Sequence, residues 1–153
     1  MGLGMTEASE VLKNISSLGI DTAPVIYFVE RHPKYVTLVR QIFGMIDQGV
    51  VTGISSVITL AEVLTLPCKA ENANLKLKYQ NLLLNSKNFN LIPVDAFAAQ
   101  LAAELRAKYA LRTPDAIQIS VSINAGCQAF LTNDTLLKKV TEIKVLVLDD
   151  YIW

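Results

Sequence analysis

Apolar residues recur along this chain with two alternating periods. Val36, Val39, Ile42, Phe43 and Ile46 stand three or four apart, the spacing of one helix face. They predict a helix from about Tyr35 to Gln48, with Gly49 placed to end it. Val50 to Ile54 is β-branched and predicts a short buried strand. Upstream, a strand ends near Ile20, and Pro24 opens an apolar helix to Glu30 that Arg31-His32-Pro33 breaks. Downstream, Ser55 or Ser56 caps a helix to about Leu66, which Pro67 terminates. A helix over about Ala70 to Leu84 and a strand over Phe89 to Val94 follow. Asp95 then caps an alanine-rich helix, Ala96 to Tyr109. Thr113 as N-cap and Pro114 at the first helical position start a helix to about Asn124, with Gly126 past its end. Ala129 to Leu131 reads as a strand, Thr132-Asn133-Asp134 as the turn leaving it, Asp134 to Lys139 as a short helix, and Lys144 to Leu148 as a last strand.

Strands that alternate with helices form a mostly parallel sheet with helices on both faces, joined by right-handed crossovers. The expectation is therefore one three-layer α/β domain, which suits 153 residues. Residues 1–14 read as a polar, weakly helical lead-in, and 15–153 as the domain. The helices at Tyr35–Gln48 and Ala70–Leu84 form a hairpin whose apolar positions would serve either a dimer face or the core.

Composition narrows the class. Hydrophobic residues make up 52% and mean hydropathy is +0.36, which fits a well-buried sheet. No apolar run approaches the roughly 20 residues of a membrane helix. The opening residues lack the basic and long apolar regions of a secretion signal. Gly2 with Thr6 fits the loose myristoylation pattern, but chance, an expression remnant or a misplaced start codon at Met5 each account for it better. Cys68 and Cys127 are far apart with no histidine nearby, as expected of packing thiols in a reduced, cytoplasmic protein. Even with His32 there are too few soft ligands for a zinc site. Basic and acidic residues number 14 each, so overall charge does not announce a nucleic-acid binder. A basic rim around an acidic centre would cancel in that sum.

The acids carry the candidate chemistry. Open parallel sheets place their sites outside the carboxyl ends of the strands. Asp21 follows the first strand there, and Asp134 follows the Ala129–Leu131 strand. Asp115 falls in the first turn of its helix, where free N–H groups and the dipole favour a carboxylate. Glu62 lies two turns into the helix after the second strand, among apolar neighbours that turn its face inward. Four such acids on one edge would repel one another and raise each other's pKa. A divalent cation removes that cost, and oxygen-only ligands select Mg²⁺ or Mn²⁺ over zinc. Ordinary roles stay open for each: an N-cap for Asp21, a buried ion pair for Glu62, support of its own helix for Asp115 and a cap for Asp134. Asp95, Asp149 and Asp150 also lie near strand ends. The first reads as the cap before Ala96, the other two as a solvated tail. Spacing alone does not choose among these acids.

Four segments do. IDTAPVIYFVE (20–30), SSVITLAEVL (55–64), RTPDAIQISVSINAG (112–126) and AFLTNDTLL (129–137) resemble, in order, the successive motifs of the PIN domain family. The resemblance runs from about Ile20 to Asp150. It implies an α/β nuclease, and many bacterial members are VapC-type toxins of toxin–antitoxin pairs. The family's catalytic, metal-holding acids fall here on Asp21, Glu62, Asp115 and Asp134. Thr22, Thr132 and Asn133 are supporting residues, the last two belonging to the turn that shapes the site. The resemblance further implies a Mg²⁺- or Mn²⁺-dependent endoribonuclease acting on RNA, usually a homodimer held inactive by a small antitoxin docked beside the site. Arg31, Lys34, Arg112, Lys138 and Lys139 lie near the motif loops and are candidates for a basic RNA rim; solvated surface is their other reading. Gln118 stands where many relatives carry a histidine. One turn after Asp115, it is expected to face the same side and tune substrate binding. Two competing readings remain at this point. One is a PIN fold kept as a binding or scaffold module with little turnover. The other is a metal-dependent phosphatase of another α/β fold, whose aspartyl-nucleophile motif is not evident here.

Overall fold

A computed structural model describes residues 7–152. Gly2, Thr6 and the alternative start at Met5 lie outside the described residues. The described elements are α1 (Glu7–Val11), β1 (Ser17–Ile20), α2 (Thr22–Val29), α3 (Val36–Asp47), β2 (Thr52–Ser56), α4 (Val57–Lys69), α5 (Ala73–Asn85), β3 (Phe89–Ile92), α6 (Ala96–Tyr109), α7 (Thr113–Asn124), β4 (Ala129–Thr132) and β5 (Lys144–Val147). Short 3-10 helices span Thr135–Lys139 and Leu148–Tyr151. The expected α/β architecture is the one observed.

The strands form one sheet in the order β3-β2-β1-β4-β5, and every pairing is parallel. Chain direction across the sheet therefore reverses at β1 and β4, and their carboxyl ends lie side by side. Side chains alternate between the two faces. Leu18, Ile20, Ala129, Leu131 and Leu146 join one core cluster with Val25, Val39, Ile42 and Tyr79. Phe130 joins a second cluster with Ala102, Leu105, Ala116 and Ile119 of α6 and α7. Gly19 faces the second layer, and a Cβ there would stand 2.1 Å from Ser122 Oγ and 2.6 Å from Ser122 Cβ. Its missing side chain lets α7 lie close on β1, which brings the start of α7 to the carboxyl edge of the sheet.

Several boundaries move from their expected places for identifiable reasons. The second strand begins at Thr52, not Val50, because Ser17 pairs with Thr52 and Leu18 with Gly53. Val50 is left exposed. Ser56 both ends β2 and caps α4, its Oγ accepting from Ile58 N–H. Pro67 does not end that helix: α4 continues to Lys69, with Pro67 buried in its last turn, where only one helical N–H is forfeited. The helix at 113–124 starts one residue early. Arg112 takes the N-cap position without a side-chain cap bond, and Thr113 is already helical.

The lead-in is partly core. Ala8, Val11 and Leu12 are buried in the first cluster, and Ala8 N–H donates to Gln41 of α3 at 3.1 Å. The apolar stripe of α3 is also core, since Leu38, Val39, Ile42, Phe43 and Ile46 are all buried. On α5, Tyr79 and Leu83 face inward while Leu77 and Leu84 stay exposed. No described helix is long and apolar enough to cross a membrane. Cys68 and Cys127 are free thiols, but only Cys127 packs, against the second cluster; Cys68 is exposed on the last turn of α4 and is not the packing thiol expected.

Candidate active site

At the carboxyl edge of β1 and β4 lies an open cleft of about 450 Å³. Asp21, Glu62, Asp115 and Asp134 all line it, with Thr22, Ala23, Ile26, Tyr27, Arg112, Thr132, Asn133 and Thr135. Local chemistry delivers each acid. Asp21 immediately follows β1 and caps α2, accepting the Thr22 N–H at 2.8 Å. Asp115 sits in the first turn of α7. Asp134 caps the 3-10 helix after β4, accepting from Leu136 N–H at 3.0 Å. Glu62 reaches this edge, as its apolar neighbours suggested, but stays exposed at the cleft mouth. The capping roles of Asp21 and Asp134 and their place in the cleft thus coexist.

Asp21 lies deepest. Its Oδ2 accepts from the Thr132 hydroxyl at 2.8 Å, and Thr132 Oγ1 in turn accepts from Asp134 N–H at 3.1 Å. Burial, first of all, pushes the Asp21 carboxyl up to about 6. The bonds from Thr132 and Thr22 oppose that shift, and the charges of Asp115 and Glu62 add to it. Arg112 supplies the balancing cation. Its Nε lies 3.1 Å from Asp115 Oδ2, and Asp115, then Asp134 and Glu62, hold its guanidinium charged.

The donor set suits a hard divalent ion. It offers carboxylate and hydroxyl oxygens, and no sulfur or imidazole lines the cleft. Each Asp21 oxygen keeps a lone pair beyond its one hydrogen bond. Among the described residues, no three acids, histidines or cysteines are drawn together tightly enough to enclose an ion. To hold an ion here the acids would act partly through water.

Other expected residues are placed differently. Gln118 does not reach the cleft. It is buried behind it and bonds Ser56, Thr59 and Thr22. Asp149 and Asp150 stay exposed, as expected of a solvated tail, but both are paired. Asp149 accepts from Tyr35 Oη and pairs with Lys34 at 3.3 Å, and Asp150 pairs with Lys138. Of the rim candidates, only Arg112 lines the cleft. Lys34 and Lys138 are engaged by those two acids, Lys139 is exposed, and Arg31 lines a separate cavity with Phe28, Arg40 and Lys78.

Asn133 shapes the cleft through its neighbours. Its Nδ2 donates to Tyr27 Oη at 3.2 Å, and its Oδ1 accepts from Asp149 N–H at 3.0 Å. Tyr27 stacks on Tyr35, with ring centroids 4.4 Å apart. His32 packs against both rings and is structural. Sequence reasoning missed Tyr27, although it stands four residues after Ala23 on the helix that Asp21 caps. Ser56 and Thr59 carried no signal beyond the cap.

Solved structures of similar fold are toxin–antitoxin proteins. VapBC2 from Rickettsia felis, bound to a DNA fragment from its promoter, superposes with a TM-score of 0.69 at 17% identity, covering 86% of this chain and 98% of that one. A toxin–antitoxin complex from Klebsiella pneumoniae gives 0.65 at 20% identity, covering 87% and 98%. VapC20 from Mycobacterium tuberculosis, a sarcin–ricin loop cleaving toxin, gives 0.63 at 15% identity, covering 84% and 99%. No curated protein matches the chain in sequence. The PIN domain profile matches residues 19–143, a span that holds every acid of the cleft, and the chain belongs to the PIN domain family.

Proposed function

We propose that this chain is a divalent-metal-dependent endoribonuclease, the toxin of a toxin–antitoxin pair. The observation that carries this reading is the meeting of Asp21, Glu62, Asp115 and Asp134 around one open cleft at the carboxyl edge of the sheet. Burial raises the Asp21 pKa and the charges of Asp115 and Glu62 add to it; a divalent ion in the cleft would offset both.

Asp21 and Asp115 are the principal holders of Mg²⁺ or Mn²⁺, with Asp134 and Glu62 acting directly or through water. Held by these acids, such an ion would supply an activated water and offset charge on the leaving oxygen of the phosphodiester. The chain's own residues do the rest. Thr132 fixes the Asp21 carboxylate by its hydroxyl, and Asn133 fixes the Tyr27 wall. Arg112, exposed at the mouth, attracts a phosphate and relinquishes Asp115 to the ion. RNA approaches over Arg112, with Lys34, Lys138 and Lys139 as the outer rim. Support for an antitoxin partner comes from the Rickettsia and Klebsiella structures, which are complexes of toxin with antitoxin. The free thiols Cys68 and Cys127 suit a cytoplasmic protein, and a homodimer is the assembly we assign.

The test is cleavage of a structured RNA pool by purified protein with Mg²⁺, Mn²⁺ or EDTA, beside Asp115→Asn. Metal-dependent cleavage that the substitution abolishes is the expected result. A folded wild type that cuts nothing and binds neither ion would replace this reading with a PIN-fold binding module.

A further inference from the structure

The buried polar cluster behind the cleft has no part in the chemistry described above. Gln118 is 2% exposed, and Ser56 and Thr59 are 1% and 0% exposed. Three helices meet there. Gln118 comes from α7, Thr59 from α4 and Thr22 from α2. The hydrogen bonds among them can be oriented one by one from donor and acceptor chemistry.

Gln118 Oε1 accepts from the Ser56 hydroxyl, and Ser56 Oγ accepts from Ile58 N–H. Ser56 Oγ has room for a second acceptor bond, so this pair alone does not tell the amide oxygen from the nitrogen. Thr22 does: its one hydrogen goes to Glu62, so the Gln118 atom that faces Thr22 Oγ1 must be a donor, Nε2, which carries two hydrogens. One goes to Thr59 Oγ1 at 2.6 Å and the other to Thr22 Oγ1 at 3.1 Å. Thr22 Oγ1 stands 2.6 Å from Glu62 Oε1. The Thr22 hydroxyl donates to Glu62, so its one hydrogen is spent there. The contact between the two threonine oxygens, 3.0 Å, must then run from Thr59 to Thr22. Thr22 Oγ1 thus accepts twice and donates once, and every hydrogen along the chain is directed toward Glu62. Bonds arranged in this sense polarise one another, which strengthens the last one.

We propose that Gln118 is a positioning residue. Through Thr59 and Thr22 it holds the Glu62 carboxylate over the cleft in one orientation. Without that hold, Glu62 is an exposed side chain on a solvent-facing turn of α4, free to sample several rotamers. With it, the fourth acid is preorganised for the ion. The inference rests on the metal-binding reading of the cleft.

The two readouts are Mn²⁺ affinity, by electron paramagnetic resonance or calorimetry, and the ¹³C shift of the Glu62 carboxyl in metal-free protein. Thr22→Val is expected to weaken Mn²⁺ binding about fivefold to tenfold and to move the Glu62 signal, while Thr22→Ser restores both. Gln118→Met keeps the volume and removes both donors, so it should reproduce Thr22→Val. Gln118→Glu should act more strongly. A carboxylate at 118 only accepts, so it would draw the threonine hydrogens to itself and away from Glu62. Should the Gln118 variants fail to fold, the Thr22→Val and Thr22→Ser pair decides. An unmoved Glu62 signal in Thr22→Val overturns the proposal, as does wild-type Mn²⁺ affinity in that variant. A wild type that binds no Mn²⁺ overturns the proposed function instead, and the carboxyl shift still decides whether the network holds Glu62.

Discussion

Arg112 Nε lies 3.1 Å from Asp115 Oδ2, so the acidic cleft already contains a cation of its own. The two side chains differ in setting: Arg112 is 78% exposed and Asp115 only 14%. The guanidinium reaches down from solvent onto a carboxylate held in the first turn of α7. With its cation wholly in solvent the pair is screened and weak, so a divalent ion would displace it. Arg112→Gln should therefore leave stability nearly unchanged and tighten Mn²⁺ binding up to about fivefold. The same change should weaken RNA cleavage and reduce its dependence on salt. Unchanged salt dependence would remove Arg112 from the RNA path.

The Asp21 carboxyl, raised by burial to about 6 from 3.8, makes the metal-free protein respond to pH in the opposite sense to most acids. Between about pH 4 and pH 6 the folded protein keeps a proton that the unfolded chain has released. The folded state binds more protons there, and stability falls as pH rises through the window. The loss is complete above about pH 7 and amounts to at most about 3 kcal/mol, less any solvent screening at this partly open site. Urea unfolding in EDTA at pH 4.5 and 7.5 measures it. Asp21→Asn should remove the pH-dependent difference and be the more stable protein at pH 7.5. If wild type and variant show parallel profiles, the Asp21 shift is absent.

Removal of the ion should act on the same groups. With Mg²⁺ or Mn²⁺ at about a hundred times its Kd, the folded state gains about 2.7 kcal/mol. Scanning calorimetry with and without EDTA reports this as a rise in Tm. Asp115→Asn or Asp21→Asn should cancel most of the rise. An equal rise in all three proteins would place the ion elsewhere.

Gly19 and Ser122 set the distance between β1 and α7. Gly19→Ala would put a Cβ 2.6 Å from Ser122 Cβ and 3.1 Å from Phe130, a clash that rotation of the serine hydroxyl cannot relieve. Overpacking of this kind costs about 1–3 kcal/mol. Because α7 carries Asp115, the variant should also bind Mn²⁺ more weakly than an equally destabilised variant far from α7. The double variant with Ser122→Gly should recover both properties. Failure of that rescue would mean that α7 is held at its height by other contacts.

Local signals in the chain were sufficient for most of what lies within one turn. Asp95 before Ala96, Ser56 before α4 and Gly49 after α3 each act through bonds or dihedrals a few residues away, and the structure realises all three. The alternation of helical and strand periods was likewise enough for a parallel α/β sheet. The four motifs singled out Asp21, Glu62, Asp115 and Asp134 from seven acids near strand ends. Pairing register is not local, and it moved β2 by two residues, from Val50 to Thr52. Burial is not local either. Gln118 and Asp115 occupy neighbouring turns of one helix, yet the approach of α4 and α2 puts one in the interior and leaves the other in the cleft. Asp149 and Asp150, polar and near the chain's end, read as solvated. Only folding brings Tyr35, Lys34 and Lys138 to them. A cap or a breaker is decided by the energy of one turn. The convergence of four acids on one cleft is decided by strand order, by the close seat of α7 on Gly19, and by which side chains the packed helices leave facing water.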